Sequence, residues 1–200
     1  MNTNLLFYLL AYLVGSIPFG LILAKSFAGV DIKKEGSGNI GATNVLRVLK
    51  TRDPKLAKKI SIATLALDIL KGMAVLFIAK MMGLSEAALW GIAVLAVFGH
   101  CFSIYLLGDG GKGVATGFGV LLFMIPLAAL VGLAVWAFSA KVLKISSLSS
   151  LFGLLAVVGS SFFIYPDIIH TPIVIIAIII LYKHGDNIAR LLRGEERSVV

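Results

Sequence analysis

Residues 114–140 read VATGFGVLLFMIPLAALVGLAVWAFSA and carry no charged side chain. An uncharged stretch of that length belongs in a bilayer, where about 20 apolar residues cross the hydrocarbon core. Its single proline, Pro126, has no amide proton and breaks a helix where it stands, so two short helices turning near Pro126 are expected here. The rest of the chain is written in the same style. Of 200 residues, 59% are hydrophobic and 14% charged, against about 45–50% and about 25% in soluble domains. With a mean hydropathy of +1.01, a water-soluble enzyme is excluded, and so is a disordered chain, which lacks apolar surface. Cys101 is the single cysteine, so no internal disulfide supports the fold.

Further apolar runs lie at roughly 4–28, 57–80, 87–107 and 149–165, with a shorter one at 171–183. No basic n-region precedes the first, whose first lysine is Lys25, so it reads as a span and not as a signal peptide. No repeat, linker or low-complexity segment divides the chain, and a single domain over 1–200 is expected. The 29–59 stretch holds Lys33, Lys34, Arg47, Lys50, Arg52, Lys55, Lys58 and Lys59 against Asp31, Glu35 and Asp53. The positive-inside rule makes that loop cytoplasmic and the N-terminus external. The tail from Lys183, with Arg190, Arg193 and Arg197, should be cytoplasmic too. Six plain crossings would put the tail outside. A turn at Pro126 removes the conflict, returns Lys141 and Lys144 to the cytoplasmic face, and gives an all-α protein of seven transmembrane helices. The alternative is five long spans, with 171–183 too short to cross.

Three polar segments collect at that one face. Residues 36–47, GSGNIGATNVLR, alternate glycine with hydroxyl and amide side chains before Thr43 caps a short amphipathic helix carrying Arg47 and Lys50. Bare backbone amides leading into a helix N-terminus suit an anion. Residues 108–117, GDGGKGVATG, resemble a phosphate-cradling loop without being a Walker A sequence, because Leu106 and Gly113 stand where that motif needs Gly and Ser or Thr. In the third segment, His184, Asn187 and Arg190 share a helical face at spacings of three.

Within the spans, Asp68 and Lys71 sit at i, i+3, close enough to pair, and a structural ion pair weighs equally with a direct role. His100 reads as a satisfied core histidine. Ser146, Ser147, Ser149 and Ser150 either line a polar pocket or mark a return turn. His100, His170 and His184 lie far apart with no metal-ligand spacing, so no metal or other cofactor is expected. The basic residues flank the membrane without a stacking platform, which argues against nucleic acid. What is left is a cationic, glycine-lined site in apolar helices, suited to a substrate with phosphates and a fatty chain.

These segments resemble the bacterial acyl-phosphate-dependent glycerol-3-phosphate acyltransferases, the PlsY type, over nearly the whole chain. The likeness runs through GSIPFG at 15–20, the 36–47 segment, DILKG at 68–72, Gly99-His100, GGKGVAT at 110–116, the serines near 149, and His184, Asn187 and Arg190. Asp109 departs from the pattern and is left out of the site, since an acid beside a phosphate loop weakens binding unless paired or turned away.

The resemblance implies acyl transfer from acyl phosphate to the sn-1 hydroxyl of glycerol 3-phosphate, giving 1-acylglycerol 3-phosphate and inorganic phosphate. It places a multi-pass monomer in the bacterial inner membrane with its site facing the cytoplasm. Gly110, Gly111, Lys112 and Gly113, with Thr116 nearby, are assigned to the acyl phosphate. Ser37, Gly38, Asn39, Thr43, Asn44, Arg47, His184, Asn187 and Arg190, with Ser149 close by, are assigned to glycerol 3-phosphate. Arg47 offers a bidentate fork, and His184 is either the general base or a phosphate holder. The familiar acyltransferase pattern of His with Asp five positions later is missing, since Tyr105, Ile175 and Ala189 follow the three histidines at that distance. That argues against a thioester donor. The rival reading is a transporter or flippase for a phosphorylated lipid or anion, which shares the helices and the broken span.

Overall fold

The computed structural model describes residues 2–196, so Arg197 lies outside the described residues. The first apolar run is a span broken in the middle: α1 (Thr3–Ser16) and α2 (Phe19–Ala28) meet at Pro18, which has no amide to donate, and Gly29 ends α2 in the left-handed region. The basic loop folds into a nine-residue amphipathic helix, α3 (Ala42–Lys50). The second span, α4 (Pro54–Met81), starts where the Asp53 carboxylate caps the amides of Lys55 and Leu56 and Pro54 takes the first turn. Ser85 likewise caps α5 (Glu86–Cys101). Beyond a short 3-10 turn at Ile104–Leu106 come α6 (Val114–Met124) and α7 (Pro126–Leu143), divided where Pro126 opens α7. The chain ends with α8 (Ser146–Ile164), α9 (Thr171–Tyr182) and α10 (Gly185–Leu192).

Among the described residues, five segments are long and apolar enough to cross a bilayer, or six when α9 and α10, bent by 59°, count as one. The seven-helix expectation therefore holds only in part. The break at Pro126 is present, but the 11-residue α6 is roughly 16 Å long, about half of a ~30 Å hydrocarbon core. A second expectation also needs correction. Thr43 does not cap α3, because the helix starts two residues earlier than such a cap would allow, with Gly41 in extended backbone as its N-cap.

Large apolar side chains such as Leu5, Phe77, Leu155 and Phe163 face outward, as a lipid-solvated rim requires. Inside, one apolar cluster joins α1, α5, α6 and α9 with the second half of α4. A second pins α2 and the 30–40 loop, together with α3, onto the first half of α4. Lipid tails are as apolar as leucine, so helices in a membrane associate by close packing, and small residues permit it. Gly15 lies against the backbone of Ala96, Gly119 against that of Ile69, and Gly132 against Gly153 and Val157. These contacts draw α1 to α5, α4 to α6 and α7 to α8.

Candidate active site

A cavity of about 500 Å³ opens between α3, α4, α6, α7, α8 and α10. One end is polar, with Ser37, Asn39, Thr43, Arg47, Lys112, His184, Asn187 and Arg190 in its wall. The other end is an apolar arm formed by Leu65, Phe118, Leu133, Trp136, Leu154 and Val157. Ser37, Arg47, Lys112, His184 and Asn187, all expected at the substrates, share this one cavity, although the chain separates the first and last by 150 positions.

The first polar segment is shaped by Asn44. Its buried side-chain amide donates to the carbonyl oxygens of Ile32 (3.0 Å), Glu35 (3.2 Å) and Asn39 (2.8 Å), and its oxygen accepts from the Ser37 amide at 2.8 Å. Asn44 therefore holds the loop that presents Ser37, and its polar atoms are spent on backbone. Gly36 adopts positive φ directly beside it, where a Cβ would collide with the Asn44 side chain. Gly38 shares the positive φ but takes no place in the cavity wall. Thr43 reaches across to Ser146, Oγ1 to Oγ at 3.4 Å, tying α3 to α8.

The glycine loop works differently from its sequence reading. Gly110 donates its amide to Cys101 O at 3.2 Å and Gly111 donates to His100 O at 2.9 Å, so neither amide is turned toward the cavity. These glycines serve close approach, since a Cβ on Gly110 would run into the His100 carbonyl oxygen. The amides that reach the wall belong to the next stretch. Gly113, in the left-handed region, starts α6, and the first paired amide there is that of Gly117, donating to Gly113 O at 2.7 Å. Unpaired first-turn amides and the helix dipole favour an anion at this point. Thr116 does not join them: its hydroxyl is buried and donates to Asp68 O at 2.9 Å. Asp109 turns outward and pairs with Lys33 at 2.7 Å.

Lys112 extends from this loop to the oxygen of the Asn187 side chain. Asn187 in turn donates to Glu196 Oε1 at 2.6 Å, as does Ser147 Oγ at 2.8 Å, while Arg190 Nε donates to Oε2 at 2.7 Å. Glu196 is the residue that sequence reasoning missed. The available signal was Gly194, whose positive φ stops α10 and turns the chain back toward the site. Ser149 is also misplaced by the sequence reading. Its hydroxyl returns to Ile145 O at 2.8 Å, and Ser146, Ser147 and Ser150 line the cavity instead.

Burial pushes the Lys112 ammonium down to about 8, with the Glu196 carboxylate opposing and Arg190 and Arg47 adding to the fall. Just beyond the end of α9, burial likewise pushes His184 down to about 4, so the ring is neutral. Its Nδ1 lies 2.8 Å from Ile180 O. A carbonyl oxygen only accepts, so Nδ1 carries the proton and Nε2 is left as an acceptor. Hydrogen bonding to Asn187 and Ser147 and then to Arg190, with the Arg190 charge, holds Glu196 below the usual carboxylate range against its own burial. Three cations (Arg47, Lys112 and Arg190) thus converge with Glu196, while the other carboxylate in the wall, Asp68, is paired with Lys71, which leaves the polar end electropositive. No group of His, Cys, Asp or Glu among the described residues is arranged to hold a metal ion.

A polytopic helical protein whose cationic, amide-lined pocket runs into an apolar arm is built to join a phosphorylated polar molecule to a fatty chain. The model of the family described as glycerol-3-phosphate acyltransferase matches residues 5–194. The chain belongs to that family and is an acyltransferase. It is 59% identical over 199 residues to the glycerol-3-phosphate acyltransferase of Sulfurimonas denitrificans, covering all of this chain and 98% of the relative. It is 60% identical over 202 residues to that of Aliarcobacter butzleri, again covering all of this chain and 98% of the relative. The fold matches the crystal structure of PlsY, an integral membrane glycerol 3-phosphate acyltransferase, in its glycerol 3-phosphate form. The TM-score is 0.89 at 36% identity, over 98% of this chain and 96% of that one. The lysophosphatidic acid form of PlsY gives a TM-score of 0.87.

Proposed function

We propose that this protein transfers an acyl group from acyl phosphate to the sn-1 hydroxyl of glycerol 3-phosphate, releasing 1-acylglycerol 3-phosphate and inorganic phosphate. It does so as a single domain of the bacterial inner membrane, acting as a monomer. The N-terminus is external and the tail cytoplasmic, with seven helical segments embedded and α6 a partial one. The observation that carries the reading is the continuity of the electropositive pocket with the apolar arm. Two phosphate dianions must meet beside one acyl chain, and both halves of that requirement are met in one cavity. The relative of known structure has a glycerol 3-phosphate form and a lysophosphatidic acid form, the acceptor and the product of this reaction. The donor and the sn-1 outcome rest on the sequence resemblance.

The amides at the start of α6 and the Lys112 ammonium receive the acyl phosphate, and Ser37, Arg47, Asn187 and Arg190 receive glycerol 3-phosphate. The acyl chain lies along Leu133, Trp136 and Val157. The acceptor oxygen attacks the acyl carbon, forming the ester C–O bond as the C–O bond to phosphate breaks. An acyl phosphate is already activated, so positioning and charge stabilisation supply the acceleration without an acyl-enzyme. Lys112 offsets the charge that builds on the departing phosphate. The acceptor's proton goes to that phosphate, whose second pKa is about 6. This makes it a better base than His184 at about 4. The Nε2 lone pair of His184 accepts a hydrogen bond from the neighbouring sn-2 hydroxyl and so orients the acceptor, leaving the proton of the attacking hydroxyl to the phosphate.

The experiment is product formation by purified protein given glycerol 3-phosphate with acyl phosphate, acyl-CoA or acyl carrier protein as separate donors. Turnover with acyl phosphate alone is the expected result. Turnover with a thioester would keep the acyltransferase and remove Lys112 from a leaving phosphate.

A further inference from the structure

His100 is 3% exposed, yet only half of its hydrogen-bonding capacity is used. The Lys71 ammonium has three protons and three acceptors around it: Asp68 Oδ1 at 2.8 Å, Ile17 O at 3.0 Å and His100 Nδ1 at 2.8 Å. An ammonium only donates, so Nδ1 must accept, and the neutral ring carries its proton on Nε2. A doubly protonated ring would set an N–H against the ammonium. The Asp68–Lys71 pair therefore fixes the tautomer of His100. Its Nε2–H has no partner among the described residues.

That N–H is not sealed in. His100 reaches the wall of the cavity beside Lys112 and Gly113. Gly111 packs closely against the ring at this point, and a Cβ there would overlap Nε2 and come within 3.0 Å of the neighbouring ring carbons. Gly111 meanwhile donates its amide to the backbone oxygen of the same histidine at 2.9 Å, so loop and ring are locked in register. A buried, oriented donor at the cavity wall beside the α6 N-terminus, where the Lys112 ammonium and the unpaired first-turn amides also donate, addresses an oxygen that only accepts.

We propose that His100 is a further substrate-binding residue, whose Nε2–H donates a hydrogen bond to an oxygen of the phosphorylated substrate seated at the start of α6, with Asp68 and Lys71 as positioning residues that set its tautomer. The oxygen belongs either to the acyl phosphate or to the phosphate of glycerol 3-phosphate. The assignment of the first to this seat rests on the preceding reading.

Two substitutions separate binding from structure. In His100→Asn the amide oxygen takes over the Nδ1 acceptor position, so Lys71 keeps its partner while the distal donor is lost. In His100→Gln the amide nitrogen reaches about as far as Nε2 and restores a donor. With fold checked by thermal unfolding in detergent, His100→Asn is expected to lose on the order of ten- to a hundredfold in kcat/KM, the effect of one hydrogen bond to a charged group. His100→Gln should stay within roughly fivefold of the unsubstituted protein, since it keeps that donor. A rise in KM for acyl phosphate assigns the oxygen to the donor, and a rise in KM for glycerol 3-phosphate assigns it to the acceptor. Gly111→Ala, whose Cβ would displace the ring from its place, should be costly with histidine at 100 and much less so with the shorter asparagine there, because the two changes remove the same contact. Equal impairment of the two His100 variants, no impairment of either, or an unchanged cost of Gly111→Ala in the asparagine background overturns the proposal. Each variant is compared with the unsubstituted protein on whichever acyl donor turns over, so a wrong donor assignment shows itself separately.

Discussion

Raising the pH past 8 should switch off substrate capture through one side chain. Burial brings Lys112 from 10.5 to about 8, a preference for the neutral amine equivalent to roughly 3 kcal/mol at 1.36 kcal/mol per pH unit. The sign follows from what the site must bind. Below about pH 8 the ammonium is present in the empty site and meets a phosphate dianion at once. Above it the amine must take up a proton before it can do so. The acceleration kcat/KM, which reports the free enzyme, should therefore fall by about tenfold per pH unit above 8: about tenfold at pH 9 and about a hundredfold at pH 10. Both substrate phosphates are already dianionic in this range, so they add no inflection of their own. Lys112→Arg supplies the control, because a guanidinium stays charged throughout. Its activity near neutrality should be lower, as the planar fork does not reproduce the contact with Asn187, but its profile should be flat from pH 7 to 10. The assay is initial-rate incorporation of labelled glycerol 3-phosphate into lipid, with spontaneous acyl phosphate hydrolysis subtracted. A flat profile for the natural protein, or the same alkaline limb in Lys112→Arg, would refute the reasoning.

Ser37→Ala and Asn187→Ala should each raise the KM for glycerol 3-phosphate by roughly tenfold, one charge-assisted hydrogen bond; an effect confined to the acyl donor would reverse the two seats. Ser149→Ala should keep kcat/KM within about twofold, because its hydroxyl back-bonds within its own helix and reaches no substrate. An imidazole NMR titration in detergent, assigned with a His184→Gln variant, should find His184 neutral down to about pH 5, consistent with its value of about 4; protonation near 6.5 would restore it as an ordinary base. Gly119→Ala should destabilise the protein by about 1–3 kcal/mol, read as a lowered unfolding temperature, because a Cβ there collides with Ile69 O and must push α4 from α6.

The parts of this molecule that were legible in its sequence depend on averages over many residues. Hydropathy placed the spans to within a few residues, and Pro126 announced the break between α6 and α7. The less legible parts hang on where one atom points. Nothing in GDGGKG tells which amides are free. Gly110 and Gly111 turn theirs inward because the loop folds back on His100 and Cys101, a contact between segments that share no local pattern. Asn44 sits in a polar motif like a ligand, but four nearby backbone groups claim it first. Ser149 differs from Ser147 and Ser150 only by its angle around α8, which the run of serines does not encode. Glu196 lies past the end of the last helix, where charge patterning reads as a solvated tail. The short reach of α6 was hidden for a different reason: an apolar run shows where a helix is in lipid and not whether it crosses.

The seams between the helices have a consequence for how this chain can vary. Where Gly15, Gly119 and Gly132 meet a neighbouring backbone, the spacing of the bundle is set by carbon atoms that are missing. No partner can be altered to make room, because the opposing surface at Gly15 and Gly119 is main chain, the same for every sequence. Such positions lack the compensating second substitutions available to ordinary core residues. They act as fixed gauges, and the width of the acyl arm, whose wall includes Gly132 and Gly153, is held by the same gauge. Selectivity for the fatty chain can then change through the side chains projecting into the arm, while the frame around them stays constant.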